Sequence, residues 1–341
     1  MRKLRTLVLV HADLVPPETL DGLTPERAAE LRTEFDVCSC LRELGHDVRP
    51  LGVRDDLGVI KQEIEQWRPH ICFNLLEEFH GIGCYDQHVV SFLELMRQRY
   101  TGSNPRGLTL ARDKALTKKI LAYHKIPVPK FEVFQLNRVV RRPEWLTFPL
   151  LVKSVTEEGS AGISRASLVH NDKQLEDRVA YIHETLGTAA IAEQYIEGRE
   201  LYVSVMGNRK LMTFPIWELT LANLPASMPR IATSKVKWDT QYQQKYGITS
   251  QQATDLPEGA ERHIIELCKR IYRTLDLSGY ARIDLRLTPE GEVYLLEANP
   301  NPQIARGEEF ADSAQAAGVG YDQLLNRILQ LGLNYEPLGL A

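Results

Sequence analysis

The first hundred residues alternate short apolar runs with stretches of helical spacing, and this rhythm limits the possible folds more than any other feature of the chain. LRTLVLV, from Leu4, reads as a buried strand. Between Pro25 and Leu44, apolar residues recur at helical spacing (Ala28, Leu31, Phe35, Cys38, Leu41), and Gly45 follows as a helix stop. HDVRPLGV is a second strand, IKQEIEQWRP a short helix, HICFNLL a third strand and DQHVVSFLELMRQ a third helix leading into RYTGS. A βαβαβ order predicts a parallel sheet covered by helices, with ligands beyond the carboxyl ends of its strands. NLLEEFHGIG, from Asn74 to Gly83, sits at such an end.

After Thr101 the pattern changes. Asp113 is placed to cap a helix from Lys114 to His124, which stops before Pro127 and Pro129. FPLLVKS then reads as a buried strand, TEEGSAGIS as a loop of small residues leading to another strand, and AIAEQYI as strand again. RELYVSVMG and KLMTFPIWEL predict antiparallel strands, followed by the polar stretch SKVKWDTQYQQKYG. A helix from about Pro257 to Leu275 carries an apolar stripe at Ile264, Cys268, Ile271 and Leu275. A hairpin and a last helix, YDQLLNRILQLG, complete a chain of the α/β class whose C-terminal part is α+β.

Composition narrows the class of partner. The 341 residues are 43% hydrophobic and 25% charged, with a formal net charge of -4 and both signs interspersed, so no basic footprint for nucleic acid is expected. A small molecule is the expected partner. Five scattered cysteines without a C-x-x-C pair suit a reducing compartment. The apolar run in MRKLRTLVLVHAD is too short for a signal segment, and no stretch has the apolar length of a membrane span. The expected location is cytoplasmic. LVLVHADLVPP lacks the G-x-G-x-x-G of a dinucleotide site, which sets a dehydrogenase aside.

Two constellations carry chemistry. YARIDLRL and EVYLLEAN flank the turn sequence TPEG and predict an antiparallel hairpin. Alternation puts Arg282 and Asp284 on one face, and Glu297 and Asn299 on one face of the partner strand. If residues 287 and 292 pair, Arg282 lies opposite Glu297, with Asp284 one diagonal away. Ala281, Ile283, Leu285, Leu287, Tyr294, Leu296 and Ala298 then form the packed side. Two carboxylates and an amide oxygen are hard ligands suited to Mg2+ held jointly with phosphate. A solvated polar strand face is the plainer reading of the same residues.

The second constellation suits phosphate. Lys153 ends an apolar strand just before Gly159, Ser160, Ala161 and Gly162, where small residues let backbone N–H groups approach an anion. The G-K-[ST] ending of a Walker loop is missing, and a simple hairpin turn is the alternative. Lys114 opens a helix, where the helix dipole favours an anion over a cation, so a bound phosphate would account for it. Otherwise it belongs to a solvated cluster with Lys118 and Lys119. Glu193 and Glu200 bracket a strand end suited to reading a nucleobase and its ribose.

In this order, the elements resemble the ATP-grasp enzymes, and within them the D-alanine–D-alanine ligases. The resemblance runs from about Ile71 to Gly332. It is carried by His80, Gly81 and Asp86, by YTGS, RDK, LVKS, EEGSAGIS, AEQYIEGRELYV and GYARIDLRL, and by LLEANPNP. It implies an N-terminal Rossmann-like domain (residues 1–105), a central ATP-grasp subdomain (106–197) and a C-terminal one (198–341). ATP and two Mg2+ ions are implied, with Mn2+ as an alternative. Lys114, Lys153 and Lys237 would bind phosphates, with Ser160 at the tip of the loop. Glu193, Gln194, Tyr195, Ile196 and Glu200 would bind adenosine. Asp284, Glu297 and Asn299 would hold the metal. Arg282 would stabilise an oxyanion, with Ser160 and Lys237 as its catalytic companions.

The implied reaction joins a carboxylate to an amine, an acid–amino acid ligation through an acyl phosphate, and a homodimer is one option for the assembly. The departures concern the substrates. Trp238 stands where the family carries a tyrosine, IARGEEF offers Arg306, Glu308 and Glu309 in place of a Ser-Leu pair, and HADLVPPETLDG replaces an acidic motif. Amino acids or peptides other than two D-alanines are therefore expected, met by His80, Arg282, Arg306 and Glu308. A nucleotide-binding regulatory protein that kept the fold and lost ligation is the alternative.

Overall fold

The computed structural model describes residues 3–157, 159–225 and 228–337. Strands β1 (Arg5–His11), β2 (Asp47–Val53) and β3 (Ile71–Asn74) form a parallel sheet in the order β2-β1-β3. Leu7, Val8, Leu9 and Val10 are fully buried, because helices cover both faces and alternation is lost in such strands. The helix expected over Pro25–Leu44 is two helices. Helix α1 (Pro25–Glu30) is capped by the Thr24 side chain, and α2 (Arg32–Glu43) restarts after Leu31. Helices α3 (Gly58–Trp67) and α4 (Asp86–Leu95) follow as expected.

Helix α5 (Pro105–Arg112), an element not expected from the sequence, leads into α6 (Lys114–Tyr123). The Asp113 carboxylate accepts from the backbone N–H groups of Ala115 and Leu116 at 2.9 and 2.8 Å, so the start of α6 is set by its cap. Strands β4 (Phe131–Phe134), β5 (Leu150–Ser154), β6 (Leu168–Val169) and β7 (Ala190–Gln194) form a four-stranded antiparallel sheet, in the order β4-β7-β5-β6. Helix α7 (Asp172–Leu186) buries Val179 and Ile182 against Leu150 and Val152.

The third sheet has six strands: β8 (Arg199–Met206), β9 (Met212–Thr213), β10 (Trp217–Leu221), β11 (Ile248–Gln252), β12 (Tyr280–Leu287) and β13 (Val293–Asn299). KLMTFPIWEL divides into β9 and β10 around Phe214 and Pro215, since proline cannot donate to a ladder. The polar stretch folds as two short helices, α8 (Ser234–Trp238) and α9 (Thr240–Tyr246). Helix α10 (Ala260–Thr274) lays Ile264, Cys268 and Ile271 on the apolar face made by Val203, Ile283 and Leu285.

Two C-terminal helices complete the structure. Helix α11 (Glu309–Ala316) lies between the hairpin and the last helix, where no element was expected, and α12 (Tyr321–Leu333) packs not on its own neighbours alone but against α2 and the first sheet. Gly332 permits this approach: a Cβ there would lie 2.3 Å from the carbonyl oxygen of Tyr100.

Candidate active site

The hairpin β12–β13 forms, but in a different register from the one expected. Leu287 pairs with Val293 and Leu285 with Leu295. The register then shifts, so that Asp284 faces Glu297 and Arg282 faces Asn299. Two local features cause this. Thr288 N donates to Glu292 O at 2.9 Å, which takes Glu292 into the turn. Leu296 is then an extra residue on β13, a β-bulge. The packed face is corrected as well: Val293 and Leu295 are buried in the core, whereas Tyr294 and Leu296 turn the other way. The bulge brings the two carboxylates directly opposite each other.

A pocket lies between the four- and six-stranded sheets. Lys153, Ser160, Glu193, Glu200, Lys237, Asp284 and Glu297 line it, with the strand-end residues Gln194, Tyr195 and Ile196. Leu151, Ile163, Ile231 and the bulge residue Leu296 supply apolar surface. Lys114 reaches Glu297 from behind, with its Nζ 3.3 Å from Oε1, and also donates to Glu157 O at 2.6 Å. Burial alone would raise the Glu297 carboxyl, but Lys114, Lys153 and Lys237 together hold it down at about 2. Burial works against the charge on Lys153, and Glu193 and Glu297 outweigh it, holding the ammonium above its ordinary value.

Glu193 is buried between two lysines. Lys153 Nζ lies 3.3 Å from its Oε2 and Lys118 Nζ 3.2 Å from its Oε1. Lys118 is therefore not a member of a solvated cluster: it is buried, its Nζ donates to Leu296 O at 2.8 Å, and burial pulls it down to about 8. Its position on the apolar stripe of α6 with Ala115 and Leu121 is the signal that could have found it. Glu200 accepts from Arg286 Nη2 on Oε2 and from the Tyr202 hydroxyl on Oε1, both at 3.0 Å. Arg286 also went unread, although it follows Arg282 and Asp284 on one strand face at a spacing of two.

The small-residue loop is tied to the polar stretch. Gly159, Ser160 and Gly162 have φ of 61°, 61° and 69°, a left-handed turn that brings the loop over the pocket. The Ser160 hydroxyl donates to Ala232 O at 2.7 Å, the Ser234 hydroxyl to Ser160 O at 2.6 Å, and Trp238 Nε1 to Gly159 O at 3.1 Å. Trp238 thus reaches the loop through its backbone carbonyl, as an indole that can only donate must. Glu158 lies outside the described residues.

Arg282 spends three nitrogens on carboxylates. Its Nε and Nη2 bond Asp284 at 2.8 and 3.0 Å, and its Nη1 bonds Glu309 at 3.2 Å. Burial keeps the Asp284 carboxyl above its ordinary range while Arg282 pulls the other way. Asn299 Oδ1 accepts from Asn301 N at 2.9 Å. His80, Arg306 and Glu308 do not line the pocket. Arg306 stacks over the Tyr321 ring at 4.2 Å, and His80 is exposed with φ of 59°. Glu308 is pushed up by burial, with Glu309 adding to the effect and Arg282 opposing it.

Among the described residues, no three His, Cys, Asp or Glu side chains converge as a cation cage. Asp284 and Glu297 nevertheless face each other across the ladder with Asn299 one turn of the pleat away, and Lys114 engages only one Glu297 oxygen. That donor set fits Mg2+, which usually takes one or two protein carboxylates and completes its shell with phosphate and water. The pocket also suits a nucleotide: it is part apolar, and Lys153 and Lys237 line it together with the Glu193 and Glu200 carboxylates.

The chain is similar to known proteins in sequence and in fold. The family described as D-ala D-ala ligase C-terminus matches residues 120–330. A D-alanine–D-alanine ligase of Desulforudis audaxviator is 30% identical over 318 residues, which is 92% of this chain and 96% of that protein. The uncharacterized protein y4sG of Sinorhizobium fredii is 29% identical, over 90% of this chain and 89% of its own length. A crystal structure of a D-alanine–D-alanine ligase from Bacillus anthracis, complexed with ATP, superimposes with a TM-score of 0.75 at 21% identity, covering 97% of both chains. The fold is thus the ATP-grasp fold with an N-terminal parallel sheet. With its matched central and C-terminal sequence and a relative aligned over nearly its whole length, this chain belongs to the D-alanine–D-alanine ligase family.

Proposed function

We propose that the protein is an ATP-dependent carboxylate–amine ligase that joins amino acids or short peptides through an acyl phosphate, with substrates other than two D-alanines. One observation carries this reading: Asp284 and Glu297 face each other in register beside Lys114, Lys153 and Lys237, so that candidate metal and phosphate ligands converge at one part-apolar pocket. The three regions 1–105, 106–197 and 198–341 are taken as its domains.

The proposed roles follow from charge and position. Lys114, Lys153 and Lys237 bind phosphate oxygens, and Glu193, Gln194, Tyr195 and Ile196 form the wall for the base. Glu200, fixed by Arg286 and Tyr202, accepts from ribose hydroxyls. Asp284, Glu297 and Asn299 would hold Mg2+, which when bound would neutralise charge on the transferring phosphoryl group. A substrate carboxylate attacks the γ-phosphate, releasing ADP, and an amine then attacks the activated carbonyl, releasing phosphate. Arg282 has N–H groups left over from its carboxylate partners for the oxyanion of that second step. The Ser160 loop, latched by Ser234 and Trp238, excludes water that would hydrolyse the acyl phosphate.

Glu309 is held by Arg282, which supports Glu308 rather than Glu309 as the carboxylate offered to a cationic acceptor. Arg306 and His80 complete the proposed substrate-binding set. ADP release measured across a panel of amino acids and dipeptides, with mass spectrometry of the products, tests the reading. A new amide formed with stoichiometric ADP is expected. Tight ATP binding with no turnover for any pair would leave a binding protein instead.

A further inference from the structure

We propose that Arg178 is a positioning residue that anchors the small-residue turn at 159–162 from behind, and so sets how tightly the pocket holds the phosphates of a nucleotide. This rests on the nucleotide reading above and extends it to a residue that touches no ligand. Arg178 is 7% exposed and lies on the buried stripe of α7 with Leu175, Val179 and Ile182. Ser160 lines the pocket, and Arg178 does not.

Its bonds lead to the turn. Arg178 Nη2 donates to Gly162 O, and the guanidinium stacks over the Tyr181 ring at 4.3 Å. Its Nε is buried without a hydrogen-bond partner, and among the described residues no carboxylate pairs with it. A cation on an apolar stripe is costly when nothing neutralises it. Gly162 rests on the same helix: a Cβ there would lie 2.9 Å from Leu186 Cδ1.

The other anchors of the turn come from the far side of the pocket. Trp238 Nε1 donates to Gly159 O, the Ser234 hydroxyl to Ser160 O, and Ser234 N to Ile163 O at 3.3 Å, all from α8, which follows β10 of the six-stranded sheet. Arg178 is the anchor on the turn's own side, so it holds the turn whether or not α8 engages it. Left-handed residues in a turn gather backbone N–H groups into a concavity for an anion, and a non-glycine such as Ser160 keeps that conformation only where its surroundings impose it. The uncompensated charge behind the turn adds to this, because a phosphate in front of it supplies the missing anion across a poorly screened interior. Both effects act on the phosphates and neither acts on the nucleoside.

The test is direct binding of ATP, ADP and adenosine by calorimetry to the unmodified protein, Arg178→Met and Arg178→Lys, with Mg2+ present. In Arg178→Met, ATP should bind about tenfold or more weakly, ADP should lose less, and adenosine should stay within about twofold. Arg178→Lys keeps a cation that can donate to Gly162 O, and it should recover most of the loss for ATP. Equal weakening of ATP and adenosine in Arg178→Met, an unchanged ATP affinity, or no recovery with lysine would overturn the proposal and leave Arg178 a structural residue. If Arg178→Met does not fold, the shorter, neutral Arg178→Gln takes its place, and the same comparison of ATP with adenosine decides. An unmodified protein that binds neither ATP nor adenosine defeats the nucleotide reading itself, and this inference with it.

Discussion

The pocket between the two antiparallel sheets and two carboxylates outside it, Glu34 on α2 and Glu308 at the start of α11, treat buried charge in opposite ways. In the pocket, Glu193 meets Lys118 and Lys153, Glu297 meets Lys114, and Glu200 meets Arg286, each at 3.0 to 3.3 Å. Outside the pocket, Glu34 is 6% exposed with no partner for its Oε2, and burial pushes its carboxyl up to about 7. Glu308 is pushed up as well, and the neighbouring Glu309 and Asp312 add to the effect. Matched charges on strands and on a capped helix hold ionised groups in place for phosphate and metal. Unmatched carboxylates do not, and they make stability sensitive to pH.

The largest expected effect tests the matched side. Glu297→Gln should lower ADP formation by about 1000-fold or more, since it removes a proposed metal ligand and the carboxylate that Lys114 pairs with. Circular dichroism should be unchanged, because the apolar face of the hairpin is intact. Normal turnover in that variant would end the metal assignment.

Next comes the unmatched side. The Glu34 carboxyl has an unfolded value of 4.5 and a folded one of about 7, so between these the folded chain holds more protons. Its contribution therefore falls as pH rises from 4.5 to 7, and the full cost, about 3 kcal/mol, stands above that window. Glu34→Gln should be more stable than the parent by about that amount at pH 8 and nearly equal at pH 4, by urea unfolding. Glu297 has the opposite sign: its stabilisation is full above 4.5 and is lost as pH falls towards about 2. Equal slopes for the two residues would erase the contrast between the regions.

Smaller effects sharpen the comparison. Lys153→Met should weaken ATP binding about 100-fold, because it removes a phosphate partner and leaves Glu193 one cation short. Arg306→Ala should leave ATP binding within about twofold and cost stability at most about 1 kcal/mol, the worth of its stacking on Tyr321. A rise in acceptor KM alone would support its place at the substrate end.

Much of the local structure was legible in the sequence. The apolar run before His11, the Asp113 cap and the strand ending at Lys153 all appear where short-range pattern and capping chemistry put them. Glu193, Glu200, Asp284 and Glu297 also reach one pocket, as the order of motifs implied. Helix α11 was missed because Glu309 and its neighbours carry no side-chain cap and a weak apolar stripe. Lys118 was misread because a lysine beside Lys119 looks solvated until the helix acquires a buried face.

What the chain carries locally is therefore its element types, their caps and the identities of the charged side chains. These depend on residues a few positions apart. The pairing of Asp284 with Glu297, the burial of Lys118 against Glu193 and the packing of α12 on the first sheet were decided only by tertiary structure. A single extra residue at Leu296 moves a whole strand face, and a charge finds its partner only when two sheets close around it.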